Sequence, residues 1–365
     1  MKVKISLAVA ALLTNSVLFA DSTSIADALK NGAVNGEFVF YAKQVNVKDG
    51  DNVGFGSGSF NLGYSTDSFY DVKLSVGSRA NHAFWEVNDG DYDGTAKAVL
   101  HTANLAYSHQ YFDVVFGRQE INLNWASDFH EALVGVVKVV PDTTIILGYT
   151  QRKADVDYDA PLEAFGKLGD SGAFVVDAKW NGVEGLVVNP FVYYANKVAT
   201  WVGARVDYDK SFSDFSVGST AQYTQSSEDN GEDGSLLHLE ARGSVIGINA
   251  KLGFIQTDKN GGIGSINAAG DNVNPFEEGS QVFETDAQTI YFGASYDVKD
   301  FALSGLYGYT KSGNAKFNEF DFVVGYNLNS NLLLEGSFVF GSGDNLGDYG
   351  ESDYTKFAIG AVYSF

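Results

Sequence analysis

From Val34 to Phe365 the chain keeps a two-residue rhythm, with apolar side chains on one parity and polar or small ones on the other. That period belongs to strands whose two faces meet different surroundings. In "GEFVFYAK", Phe38, Phe40 and Ala42 oppose Glu37, Tyr41 and Lys43. In "WVGARVDY", Val202, Ala204, Val206 and Tyr208 oppose Gly203, Arg205 and Asp207. The last nine residues, "FAIGAVYSF", place Phe357, Ile359, Ala361, Tyr363 and Phe365 on one face and stop on the aromatic. The alternating segments run to roughly 9–12 residues, the length of a tilted strand that crosses a membrane. By count there are about 18, too many for one sandwich. Short turns such as "VPDTT" and "LNSNL" alternate with longer polar loops. In lipid every backbone amide must find a partner within the protein, so such a sheet must close on itself. The expected fold is therefore an all-β, transmembrane antiparallel β-barrel of about 18 strands. Sixteen is the alternative, if the pair flanking "NKVAT" is lost, and Pro190 is a misfit inside a strand because it cannot donate to a ladder.

Composition narrows the setting. A formal charge of −22 and a pI near 4.4 exclude a nucleic-acid binder, which needs a basic face. The absence of Cys excludes a disulfide framework and thiol chemistry. Residues 1–20, "MKVKISLAVAALLTNSVLFA", combine two early lysines, a short apolar run and small residues before Ala20, the pattern of a cleaved export signal. Residues 21–365 are then a single barrel domain. One short helix is expected in "STSIADALKNG", with Ser22 or Ser24 as cap and Gly32 as stop.

Charges on the polar parity are candidates for a wet lumen: Lys43, Asp71, Lys73, Arg152, Asp177, Lys179, Arg205, Asp207, Glu240, Arg242, Lys251, Glu319, Asp321 and Glu335. Opposed signs across a narrow lumen make a transverse field that orients dipolar solutes. The bland alternative for each residue is cross-strand pairing. Arg118 falls with Val114 and Phe116 on the apolar parity, at an interface or beside a bulge. The third outward loop, Asn122 to Glu131, either folds inward or caps the rim; folded inward, it presents Glu120, Asn122, Asn124, Asp128 and His130 to the lumen. In "NDGDYDGT", Asp89, Asp91 and Asp93 reproduce the first half of a calcium loop, but the twelfth position is Leu100 rather than Glu. A solvated acidic turn is the competing reading, and no other cofactor is expected. The five His are scattered, with no H-E-x-x-H or G-x-S-x-G, so an enzyme is not expected.

Several stretches in order, "SIADALKNGAVNGEF", "FGRQEINLNWASDFHEA", "VPDTTIILGYT", "GDNVNPFEEGSQVFETDAQTIYFGASYD" and the terminal "YSF", carry a resemblance across the whole mature chain. It resembles the outer-membrane porins of Campylobacter and Helicobacter relatives, similar to the OprD-type porins. The segment "NLNWASDFHEA" departs from the family's pattern. The resemblance implies an eighteen-stranded, trimeric pore in the outer membrane of a Gram-negative bacterium. It would pass ions and small hydrophilic solutes, and related members hold calcium in their loops. It also implies contact with outer-membrane lipid and a C-terminal signal for the barrel assembly machinery, here Phe357, Ile359, Tyr363 and Phe365. The rival from another class is a surface adhesin or structural barrel whose loops bind a partner.

Overall fold

The protein is described here by a computed structural model covering residues 22–344, 349 and 353–365; the expected export signal, 1–20, lies outside the described residues. Helix α1 (Ile25–Lys30) is capped by Ser24, whose side chain accepts from the Asp27 amide. The strands that follow are β1 (Ala33–Val47), β2 (Val53–Ser65), β3 (Val72–Glu86), β4 (Ala98–Ser108), β5 (Phe112–Glu120) and β6 (Phe129–Val137). Next come β7 (Thr143–Ala154), the two-residue β8 (Gly166–Lys167), β9 (Ala173–Val183), β10 (Leu186–Ala195), β11 (Ala199–Ser211) and β12 (Phe215–Glu228). The chain finishes with β13 (Gly234–Val245), β14 (Ile248–Thr257), β15 (Ala287–Val298), β16 (Phe301–Ser312), β17 (Ala315–Asn327), β18 (Leu332–Gly343) and β19 (Tyr354–Ser364).

Each wall strand pairs antiparallel with the next; β7 also pairs with β9 past the short β8, and β19 pairs with β1. Among the described residues the wall therefore holds eighteen strands and is closed. Closure leaves no edge, the condition lipid imposes on a sheet. The sixteen-strand alternative fails because β10 and β11 are both wall strands, in register from Leu186↔Tyr208 to Ala195↔Ala199.

The alternation sorts side chains as the two environments require. Phe38, Phe40, Phe116, Leu252, Ile290 and Ile359 point outward and are exposed on the protein surface, as lipid contact requires. Val39, Tyr41, Val175, Tyr193 and Ile255 point inward and are buried. Exposed Trp180, Tyr194, Tyr208, Tyr296 and Tyr363 lie on the outward side near strand ends. Pro190 is accommodated by a gap in one ladder. Pairs Val188↔Trp180 and Phe191↔Asp177 flank Asn189 and Pro190, and the Asn189 side chain donates to the Ala178 carbonyl (2.8 Å) where a backbone N–H is missing.

Three connections at the long-loop end, 121–128, 155–165 and 258–286, turn into the barrel. Leu123 and Trp125 of the first and Ile263, Ile266, Val273, Phe276 and Val282 of the last share one apolar cluster with inward Val175, Phe191, Tyr193, Trp201, Leu236, Ile255 and Tyr291, while Val156 and Leu162 of 155–165 pack with Val99 and Ala154. Much of the interior is thus packed core, and the wet space is what the loops leave open.

Candidate functional site

The wall strand β5 ends at Glu120, and the chain then leaves the wall. Leu123 donates its amide to Ala126 (2.8 Å), making a tight turn with Trp125 at its tip. Trp125 is fully buried, and its Nε1 donates to Thr224 Oγ1 (3.2 Å) on β12, across the barrel. Asn124 Nδ2 donates to Asn189 Oδ1 (3.0 Å) on β10. The loop therefore folds inward. Asp128, held at a positive φ of 69°, lines the remaining cavity. His130 does not. The loop ends two residues before it, so His130 is a wall residue of β6, fully buried, with contacts to Thr150 Oγ1 (2.9 Å) and the Ser127 carbonyl (2.8 Å). It holds the loop's base.

The connection 258–286 meets that loop from the far wall. Asn272 donates its amide to Asn124 (3.0 Å) and its Nδ2 to Asn122 Oδ1 (2.9 Å), while Ser127 donates to the Ala269 carbonyl (3.1 Å). On the opposite side it is pinned to β17. Glu319 accepts from the amides of Glu278 (3.0 Å) and Gly279 (3.1 Å) and from Gln281 Nε2 (2.7 Å), and Asp321 accepts from the Glu277 amide (3.0 Å). Glu278 in turn pairs with Lys356 on β19. Phe276 presses on the wall at Gly308, where an added Cβ would lie 2.1 Å from the ring. Only glycine leaves that space. Sequence reasoning missed this loop as an inward element. Its signal is a long connection carrying eight apolar residues at no regular period.

Between these loops and the strands β11–β17 lies a cavity of about 1080 Å³. The wall side carries an interleaved ion network. Arg205 pairs with Asp207 (2.7 Å) and Arg242 with Asp209 (2.6 Å); Glu240 lies 3.6 Å from Arg242 and 3.8 Å from Lys251 and accepts from Tyr291 (2.8 Å). The loop side contributes Asp128, Asp155, Asp157, Asp271 and Glu277. Among the described residues, four cations (Lys153, Arg205, Arg242, Lys251) and eight carboxylates line this space, the loop five together with Asp209, Glu240 and Asp321. Desolvation inside the barrel pushes the carboxyl of the half-exposed Asp155 above the ordinary range, against the opposing pull of its partner Lys153.

The chain matches the family model of the Gram-negative porins over residues 6–346. The chain is a Gram-negative porin. Among solved structures it is similar to Pseudomonas aeruginosa OpdO (TM-score 0.78, 12% identity, 93% of this chain and 98% of that one). It is also similar to P. aeruginosa OpdK with vanillate (0.75, 12%, 92% and 99%) and to Acinetobacter baumannii OccAB4 (0.73, 11%, 91% and 98%). Among curated proteins none matches. The porin is an outer-membrane channel for small solutes, not an enzyme, and the family does not favour the adhesin reading.

The other expected lumen residues of the porin fall into three groups. Lys43 points inward and lies 5.1 Å from the Phe55 ring, while Lys73 and Lys179 are exposed on the inward parity near the short-turn end. Asp177, Glu319 and Asp321 point inward but are buried. Asp177 is closed over by Asn189 Nδ2 (2.8 Å) and Tyr193 (3.2 Å), and Glu335 accepts from Tyr158 (2.8 Å) of the inward connection 155–165. Two placements differ from the sequence expectation. Asp71 is in the β2–β3 turn at φ 61°, outside the wall, because the strand begins one residue later. Arg152 points outward, because the β6–β7 ladder gains a residue at Gln151: Glu131 pairs with Arg152 but Ala132 with Thr150. Arg118 shares that outward face, bonded to Glu131 (2.7 Å).

On the closing strand, Phe357, Ile359, Tyr363 and Phe365 are exposed on the outward face. In the "NDGDYDGT" turn, Asp91 is engaged by backbone amides: its Oδ2 accepts from Gly54 (2.9 Å) and Asn88 (2.9 Å). No group of three acids or histidines able to hold a metal occurs among the described residues.

Proposed function

We propose that the porin is a passive diffusion channel with a mild preference for cations and for solutes bearing a positive group. The observation that carries this is the twofold excess of carboxylates among the charges lining the central cavity. The wall cations Arg205, Arg242 and Lys251 are each paired with wall acids, while the loop side sets five carboxylates against the single cation Lys153, which pairs with Asp128 (3.3 Å) and Asp155, so the net field of the cavity is negative. Such a field raises the local concentration of cations and aligns a dipolar solute across the passage. The inward loops set the width, and no energy coupling is involved. Assembly as a trimer and insertion through the barrel assembly machinery belong to the same proposal, supported by the family resemblance.

Planar-bilayer recording in a potassium chloride gradient tests it. The expected reversal potential has the sign of a cation-preferring pore. An anion-preferring pore would refute the charge argument. A silent barrel, folded and inserted, would refute the open channel.

A further inference from the structure

The outward face at the long-loop end carries a cluster of charge that the channel does not use. The extra residue in β7 turns Arg152 to the lipid side, opposite Glu131, which is itself opposite Arg118. Down the same face lie exposed Phe116, Leu133 and Leu147 and the ring pair Tyr149–Phe174, with centroids 4.8 Å apart. The cluster stands two residues from the long-loop ends of β5, β6 and β7, at the outer rim of the barrel.

The strand β8 adds a further cation. It has two residues and pairs only with the end of β7, setting Lys167 directly opposite Arg152. Like charges facing each other across a ladder repel. The neighbouring carboxylate does not resolve this. Glu131 Oε1 is taken by Arg118 through Nε (3.0 Å) and NH2 (2.7 Å), and Arg118 is further fixed by the Phe165 ring at 4.3 Å. Arg152 reaches Oε2 only at 3.7 Å, and Lys167 has no acid within ion-pair distance among the described residues. Three cations thus share one carboxylate on the face that also carries the exposed Phe116, Leu133 and Leu147.

We propose that Arg152 and Lys167, backed by Arg118, form a site for the phosphate group of a phosphorylated glycolipid in the outer leaflet. A doubly charged oxyanion between Arg152 and Lys167 relieves their repulsion. The guanidinium fork suits two of its oxygens and the ammonium a third. The exposed apolar side chains below run where the acyl chains of such a lipid would lie. The inference rests on the outer-membrane setting and not on the pore's selectivity.

Native mass spectrometry of the detergent-purified barrel tests it, with phosphorylated lipid A, the same lipid dephosphorylated, and inorganic phosphate as separate probes. The parent is expected to retain phosphorylated lipid A at least tenfold better than the dephosphorylated form and to retain no inorganic phosphate at the same concentration. The Arg152→Gln, Lys167→Gln double variant is expected to lose that difference while keeping the parent's single-channel conductance. Lys167→Gln alone, on an exposed two-residue strand, gives a second reading if the double variant folds poorly, with a loss of threefold or more. Equal retention of both lipids by the parent, undiminished retention by the variants, or capture of inorganic phosphate as readily as lipid would overturn the site. So would a parent that binds no lipid and whose variants instead lose oligomeric mass, which would make this face a contact between copies.

Discussion

Replacing Glu319 by Ala should loosen the loop 258–286 and widen the passage. The carboxyl group is fully buried on β17 and receives three donors, two of them backbone amides of the loop. A buried donor left without an acceptor costs roughly 1–3 kcal/mol. Three such donors set a nominal loss of about 3–9 kcal/mol, and water admitted from the adjacent cavity restores part of it. A net weakening of about 2–4 kcal/mol raises the detached-to-docked ratio of the loop by roughly 30- to 1000-fold. The wall itself keeps every ladder bond, so the barrel should still fold and insert. Single-channel recording is the assay. The variant should show larger conductance and added flicker as the loop leaves and returns, and Glu319→Gln, which retains an acceptor oxygen, should lie between it and the parent. A folded Glu319→Ala channel with the parent's conductance and noise would show that this contact does not hold the loop.

Other outcomes follow from single features. Trp125→Ala removes the buried tip of the first inward loop and its bond to Thr224; at about 3–5 kcal/mol for a buried Trp, the loop should undock, raising conductance and lowering the melting temperature. Asp155, raised by desolvation inside the barrel, should regain its proton above the ordinary carboxylate value near 4 as pH falls; cation preference should then drop in that range, and Asp155→Asn should remove the step from the reversal-potential profile. Deleting Phe365 breaks its paired backbone bonds with Gly36 (3.0 Å each) and its ring contact with Phe38; the yield of inserted protein should fall while the conductance of inserted molecules stays unchanged. Calcium should leave the melting temperature of the purified barrel unchanged relative to a chelator, since Asp91 Oδ2 already accepts two backbone amides; a rise of several degrees would make the Asp89–Asp93 turn a calcium site.

The wall was legible because each strand reports its environment locally. Phe38, Phe40 and Ile359 face lipid and Val39 and Tyr41 face the interior, so a period of two is written into the chain at every strand. The inward loops have no such period. Ile263, Ile266, Val273, Phe276 and Val282 are buried by matching a particular wall, including the space left at Gly308, and that match exists only after the barrel closes. The same reason hid the latch on Glu319. Its alternation correctly turns it inward, but nothing local says that loop amides, rather than water, will fill its hydrogen bonds.

Arg152 exposes a sharper limit of alternation. Counting forward from inward Ile146, Gly148 and Thr150 assigns Arg152 to the lumen. Counting back from Lys153, whose ladder partner is the inward His130, assigns Arg152 to the lipid face. Both counts obey the two-residue period, and they disagree because Gln151 is the extra residue between them. A one-residue slip exchanges the faces of everything beyond it. The position of the bulge is fixed by long-range pairing with β6, so a charge that the sequence assigns to the solute pathway instead stands against the membrane, beside Lys167.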